Sequence, residues 1–127
     1  MVLKDFYKVL SLEKIDEQKY VVLIIVNEKH DVFKGHFPGN PIMPGVCMMQ
    51  IIKELVEQIT EKTLMMQHLS NVKFMTLINP EVAPKLHLEL SIVTEEEQIK
   101  VKNTTFIHDT VALKLSSIYK VIASDKS

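Results

Sequence analysis

Residues 36–60 read HFPGNPIMPGVCMMQIIKELVEQIT and join a stiff loop to an apolar helix. Pro38, Pro41 and Pro44 are interleaved with Gly39 and Gly45. Proline fixes φ and lacks a donor, whereas glycine permits close approach of another backbone or a ligand. A loop of this kind is shaped rather than slack, and it can hold His36 at a set place beside a helix N-terminus. Pro44 suits the first position of that helix, where a missing N–H costs nothing. Within 45–60, Val46, Met49, Ile52, Leu55, Val56 and Ile59 recur at helical spacing, and Met48 and Ile51 widen the apolar arc. Gln50, Lys53, Glu54 and Glu57 form a polar stripe on the remaining face.

Outward from the helix the period changes. Residues 18–28 (QKYVVLIIVNE) are rich in β-branched residues and read as a strand. Residues 72–78 (VKFMTLI) read as another, closed by a turn at Asn79-Pro80-Glu81. Leu86, Leu88, Leu90 and Ile92 alternate with His87, Glu89 and Ser91, the mark of a half-buried strand. Residues 98–107 and 110–122 give two more strands, and 94–97 (TEEE) a charged turn. Residues 2–10 fit a short helix or a strand equally. The pattern predicts a single α+β domain over 1–127. An antiparallel sheet wrapped around the long helix buries it better than a flat layer would, which is the hotdog architecture. Such a sheet leaves an open edge, and edges invite pairing, so a dimer is expected.

Composition excludes several function classes. A net charge of −1 gives no electrostatic case for a nucleic-acid or membrane-surface partner. No apolar run approaches the ~20 residues of a membrane span. All 15 basic residues are lysine, so no guanidinium fork is present for carboxylates or phosphates. The one cysteine, Cys47, rules out an internal disulfide and a cysteine-based zinc site. The first ten residues carry Lys4, Asp5 and Lys8 and do not resemble a signal peptide. A cytoplasmic protein is expected, with no cofactor and no metal.

His36 carries the chemistry. An imidazole titrates near neutrality and serves as a general base. Removing a proton α to a thioester carbonyl also needs donors for the enolate oxygen, and unpaired N–H groups at a helix N-terminus supply them. Gly45 and Val46 stand at that terminus, and Gly45 has no side chain to obstruct a carbonyl.

The segment from about Asp31 to Val46 resembles the HFPGxPxxPG loop of the 3-hydroxyacyl-ACP dehydratases of type II fatty acid synthesis, the FabA/FabZ type. Val72-Lys73-Phe74 followed by Asn79-Pro80 lends weaker support. The resemblance implies the same hotdog fold, a dimer, and elimination of water from 3-hydroxyacyl thioesters to trans-2-enoyl thioesters, in fatty acid or related lipid or polyene synthesis. It implies that His36 is the catalytic histidine and that the Gly45 N–H holds the thioester carbonyl. Phe37, Pro38, Pro41, Pro44 and Val46 match loop and helix-start positions; with Met43 and Met49, Phe37, Pro38 and Val46 are the candidates for contact with substrate. The family places a carboxylate fourteen residues after the histidine, where it protonates the leaving hydroxyl. That position here is Gln50.

An amide cannot donate a proton as a carboxylic acid does; it can only hydrogen-bond. Loss of a general acid costs about 10²–10⁴-fold. Three readings remain open. The chain is a dehydratase in which Gln50 orients the hydroxyl while His36 or a water supplies the proton. Or it is an acyl-thioester-binding subunit of a hetero-oligomer whose partner supplies the acid. Or it serves another thioester task, such as hydrolysis. Glu54 lies one turn beyond Gln50, about 6 Å along the axis, and is expected on a solvated face or paired with Lys53 or Lys62 rather than acting as the acid. Cys47 is expected to be a small buried apolar residue rather than a nucleophile. Met43, Met48, Met49, Met65, Met66 and Met75 serve as core filler or as the adaptable wall of an acyl tunnel. His30, His68, His87 and His108 show no metal-ligand spacing and are expected at the surface or in loops, with His30 able to support the catalytic loop. The acyl chain is expected on acyl carrier protein or on CoA, and Lys34 and Lys73 are the candidates to meet an acidic carrier.

Overall fold

The computed structural model describes residues 4–34 and 41–124. Six strands form one antiparallel sheet: β1 (Tyr7–Lys14), β2 (Lys19–Val26), β3 (Lys62–Phe74), β4 (Lys85–Thr94), β5 (Gln98–Ile107) and β6 (Thr110–Ser124), in the order β1-β2-β4-β5-β6-β3. The helix α1 (Gly45–Thr60) is enclosed by this sheet, and a 3-10 turn at Asp31–Phe33 precedes the loop that leads to it. This is the α+β hotdog arrangement expected from the sequence.

Alternation along the strands explains the enclosure. Val22, Ile24 and Val26 on β2, Leu86, Leu88, Leu90 and Ile92 on β4, and Ile99 and Val101 on β5 are all buried on one face. Cys47, Met48, Ile51, Ile52, Leu55 and Val56 of α1 are buried among the same core residues. Each large apolar side chain so buried contributes about 1.5–3 kcal/mol. The buried face is centred on Met48, Ile52 and Leu55, so Val46 faces outward and is 58% exposed. Asn103 and Thr105 share the inner face of β5 with the apolar residues, and the Thr105 hydroxyl donates to Asn103 Oδ1 at 2.9 Å.

Two local readings of the sequence need correction, and an open one is resolved. Pro44 is the N-cap, with extended backbone, and the helix starts at Gly45. The strand expected at 72–78 begins at Lys62, directly after Glu61 turns the chain with a left-handed φ of 57°, and it ends at Phe74. Its pairing with β6 shifts register at Thr63/Leu64, Met66/His68 and Ser70/Lys73, so bulges erase the alternation that would have marked it. Residues 7–10 of the ambiguous N-terminal stretch belong to strand β1, which runs on to Lys14.

The sheet fixes the loop end of the helix as well. The Met43 N–H donates to the Ile78 carbonyl at 2.8 Å, and the Met75 N–H donates to that of Ala112 at 2.8 Å. Segment 41–44 is thereby tied to the chain that leaves β3. No helix among the described residues is long and apolar enough to cross a membrane.

Candidate active site

The site is built around the N-terminus of α1. The N–H groups of Cys47 and Met48 both point at the Pro44 carbonyl, at 3.0 and 3.3 Å, and Pro44 gives no side-chain cap. Among the described residues the N–H groups of Gly45 and Val46 have no partner. They are donors at the positive end of the helix dipole, suited to an anionic oxygen. Glycine at 45 keeps the helix start uncrowded: a Cβ there would lie 3.0 Å from the Phe74 ring, which would have to shift. Phe74 is itself half exposed, so Gly45 and Phe74 line one open surface at the helix start. His36, Phe37 and Pro38 lie outside the described residues.

His30 holds the approach to that loop. Its Nδ1 accepts from the Val32 N–H at 3.1 Å while Nε2 lies 2.9 Å from the Lys4 carbonyl. Those partners require the Nε2–H tautomer. The ring stands edge-on to Phe6 with centroids 5.0 Å apart, and Phe6 stacks on Phe33. His30 therefore ties the N-terminal segment to the turn that opens the loop.

The polar stripe of α1 is covered rather than solvated. Glu54 accepts the Tyr7 hydroxyl on Oε1 at 2.8 Å and the Gln50 amide on Oε2 at 2.9 Å. Lys53 pairs with Glu57 at 3.4 Å, and Glu57 also accepts the Leu64 N–H at 2.8 Å. The expectation of a solvated Glu54, or one paired with Lys53 or Lys62, is thus corrected. Strand β1 lies across this part of the helix, and its tyrosine finds the carboxylate first. Burial, then the hydrogen bond and charge of Glu54, raise the Tyr7 pKa well above its ordinary value. Tyr7 was not legible as a site residue, because it sits in the stretch that fitted helix and strand equally.

The remaining candidates separate. Met43 and Met48 are buried core residues, Met49 and Met66 are half buried against the core, and Met65 and Met75 are exposed. The six methionines therefore do not line one continuous wall. Cys47 is buried among the core residues, as expected of a small apolar residue, and burial pushes its thiol pKa up. Lys34 pairs with Asp31 at 3.2 Å, and Lys73 is exposed on β3 opposite Lys114.

The sign of the Tyr7 shift yields a prediction. A phenol whose folded pKa is raised contributes stability that is fully present below its unfolded value, about 10. That contribution is lost as pH rises beyond it. Ultraviolet titration of tyrosinate should show Tyr7 and the buried Tyr119 remaining protonated in folded protein above pH ~10, with unfolding midpoints in urea falling over the same range. A Tyr7→Phe variant whose stability falls just as wild type does over that range would contradict the assignment to Tyr7.

Comparison with known proteins bears on the fold and the family. Residues 12–114 match the ApeI-like family, described as ApeI dehydratase. The chain is 30% identical over 95 residues to the 3-hydroxyacyl-[acyl-carrier-protein] dehydratase FabZ of Lactiplantibacillus plantarum, covering 66% of this chain and 65% of that protein. With the FabZ of Pediococcus pentosaceus it shares 27% identity over 131 residues, covering 94% and 87% of the two chains. Among solved structures, the dehydratase heterocomplex ApeI:P from Xenorhabdus doucetiae superposes with a TM-score of 0.72 at 17% identity, over 89% of this chain and 96% of that one. A hypothetical thioesterase from Streptococcus pneumoniae, solved with coenzyme A, gives a TM-score of 0.66 at 11% identity over 97% and 92%. The match to the family over 12–114 carries the assignment: the chain belongs to the ApeI-like dehydratases and is a hydroxyacyl dehydratase-like hotdog protein.

Proposed function

We propose that this protein eliminates water from a 3-hydroxyacyl thioester delivered on acyl carrier protein, giving the trans-2-enoyl thioester. The observation that supports this most is the pair of unpartnered N–H groups at Gly45 and Val46, open beneath Phe74, in a chain of the ApeI-like family. The thioester carbonyl accepts from the Gly45 N–H, so negative charge that develops on its oxygen meets fixed donors. His36 takes the α-proton, and the C3–O bond breaks as the double bond forms. His36 returns that proton to the departing oxygen, and Gln50 orients the hydroxyl. Phe37, Pro38, Met43, Val46 and Met49 are the proposed substrate contacts. We place the reaction in the cytoplasm, where a single buried thiol such as Cys47 stays reduced.

A second reading has its own support. Gln50 has no proton to give as an acid, and the structurally similar ApeI:P is a heterocomplex. In that reading this chain is one half of a site, and a partner hotdog subunit supplies the acid. Strand β3 is one of the two sheet edges, β1 being the other. Val72, Phe74, Met75 and Leu77 are exposed on and just beyond it. We propose that this edge pairs with a second hotdog subunit, either a copy of this chain or a relative. Lys73 lies on the same strand and is the proposed contact for an acidic carrier.

Two measurements decide among these. Hydration and dehydration of a short 3-hydroxyacyl-ACP and its enoyl counterpart should show turnover by wild type. His36→Ala should lose at least 10²-fold, the scale of a lost general base. An inert wild type that gains turnover in Gln50→Glu would overturn the single-chain reading and leave the half-site one. Light scattering on the purified chain should report a dimer that Val72→Asp dissociates; a wild-type monomer would contradict self-pairing through β3.

A further inference from the structure

We infer that Glu54, steadied by Tyr7, is a positioning residue that turns the Gln50 side chain so that its amide oxygen is left to receive the substrate hydroxyl. The inference deepens the dehydratase reading and rests on it.

Donors and acceptors set this orientation. A carboxylate offers only acceptors. Glu54 uses its two oxygens separately: Oε1 takes the Tyr7 hydroxyl at 2.8 Å and Oε2 takes Gln50 Nε2 at 2.9 Å. Two donors on two oxygens fix the plane of the carboxylate as well as its place. Lys53, the adjacent cation on the stripe, is engaged by Glu57, so the tyrosine and the amide are the partners that hold Glu54. The Gln50 nitrogen faces Glu54, and the oxygen lies on the other side of the amide. Among the described residues that oxygen has no partner.

This orientation matters for elimination. A hydroxyl that donates its hydrogen to Gln50 Oε1 keeps both lone pairs on its oxygen free. One of them can receive the proton taken from the α-carbon. The C–H bond breaks at the α-carbon, its electron pair forms the double bond, and the C3–O pair leaves on oxygen, which departs as water. The reversed amide would instead donate an N–H to the hydroxyl, occupying one of those lone pairs and leaving the hydroxyl hydrogen without this acceptor. Gln50 thereby acts as an orienting group and needs no acidity of its own.

Glu54→Met, Glu54→Gln, Gln50→Ala and the Gln50→Ala/Glu54→Met double variant separate the possibilities. Methionine matches the length of Glu54 but offers no carboxylate. Glutamine still offers an oxygen to Gln50 and can donate to the Tyr7 oxygen. Glu54→Met should lower kcat on 3-hydroxyacyl-ACP about tenfold with KM little changed. Glu54→Gln should recover most of that loss, and Glu54→Met should add nothing in the Gln50→Ala background. The side-chain amide resonance of Gln50 in the folded wild type should shift in Glu54→Met and stay near its place in Glu54→Gln. If Glu54→Gln is as damaging as Glu54→Met at unchanged melting temperature, Glu54 is an acid rather than a positioning residue. An additive loss in the double variant, or a Gln50 resonance that ignores residue 54, also overturns the inference. A responsive resonance in an enzyme without turnover would uphold the clamp and refute the dehydratase reading instead.

Discussion

Burial of Met48, Ile51, Ile52, Leu55 and Val56 against the enclosing sheet sets the rotation of α1 about its own axis. That rotation decides where every other helix residue faces. With the apolar arc locked, Val46 is turned outward, and the stripe from Gln50 to Glu57 is turned toward β1 and the start of β3. An error of one residue in the helix would place Gln50 in the core or in water. Dense packing of interiors makes such a rotation costly, so the apolar face is what holds the chemical face in register.

Two consequences follow at opposite ends of the helix. At the N-terminus, Pro44 provides no side-chain cap and Gly45 provides no side chain, so donors and space coexist at one point. Elsewhere such donors are capped by Ser, Thr, Asp or Asn. Further along, the polar stripe is closed off by partners from two strands: Tyr7 on Glu54 and the Leu64 N–H on Glu57. Half-buried polar groups are retained because each is satisfied by a specific neighbour, and satisfied networks of this kind are stiff. The helix thus presents an open end and an internally braced flank.

Much of this was legible in the sequence because it depends on period. Leu86 to Ile92 alternate cleanly and lie where alternation puts them, and the 45–60 helix follows from its apolar spacing. The loop residues carry a family pattern, and the family match bears out that resemblance. What was not legible depends on pairing across the chain. Strand β3 hides its alternation behind three register shifts. Glu54 reads as a surface residue on its helix alone, and only the path of β1 shows that Tyr7 covers it. Val46 belongs to the apolar count of the helix yet faces outward, because it lies off the face centred on Met48, Ile52 and Leu55 while its neighbours Cys47 and Met48 are buried.

The dehydratase reading turns on where a substrate's two oxygens go. A crystal structure with a non-reactive 3-hydroxyacyl thioester analogue tests it most directly. The expected result is the carbonyl oxygen within hydrogen-bond distance of the Gly45 N–H, and the hydroxyl on Gln50 Oε1. An analogue whose carbonyl lies away from the helix N-terminus, with its hydroxyl on another group, would contradict it.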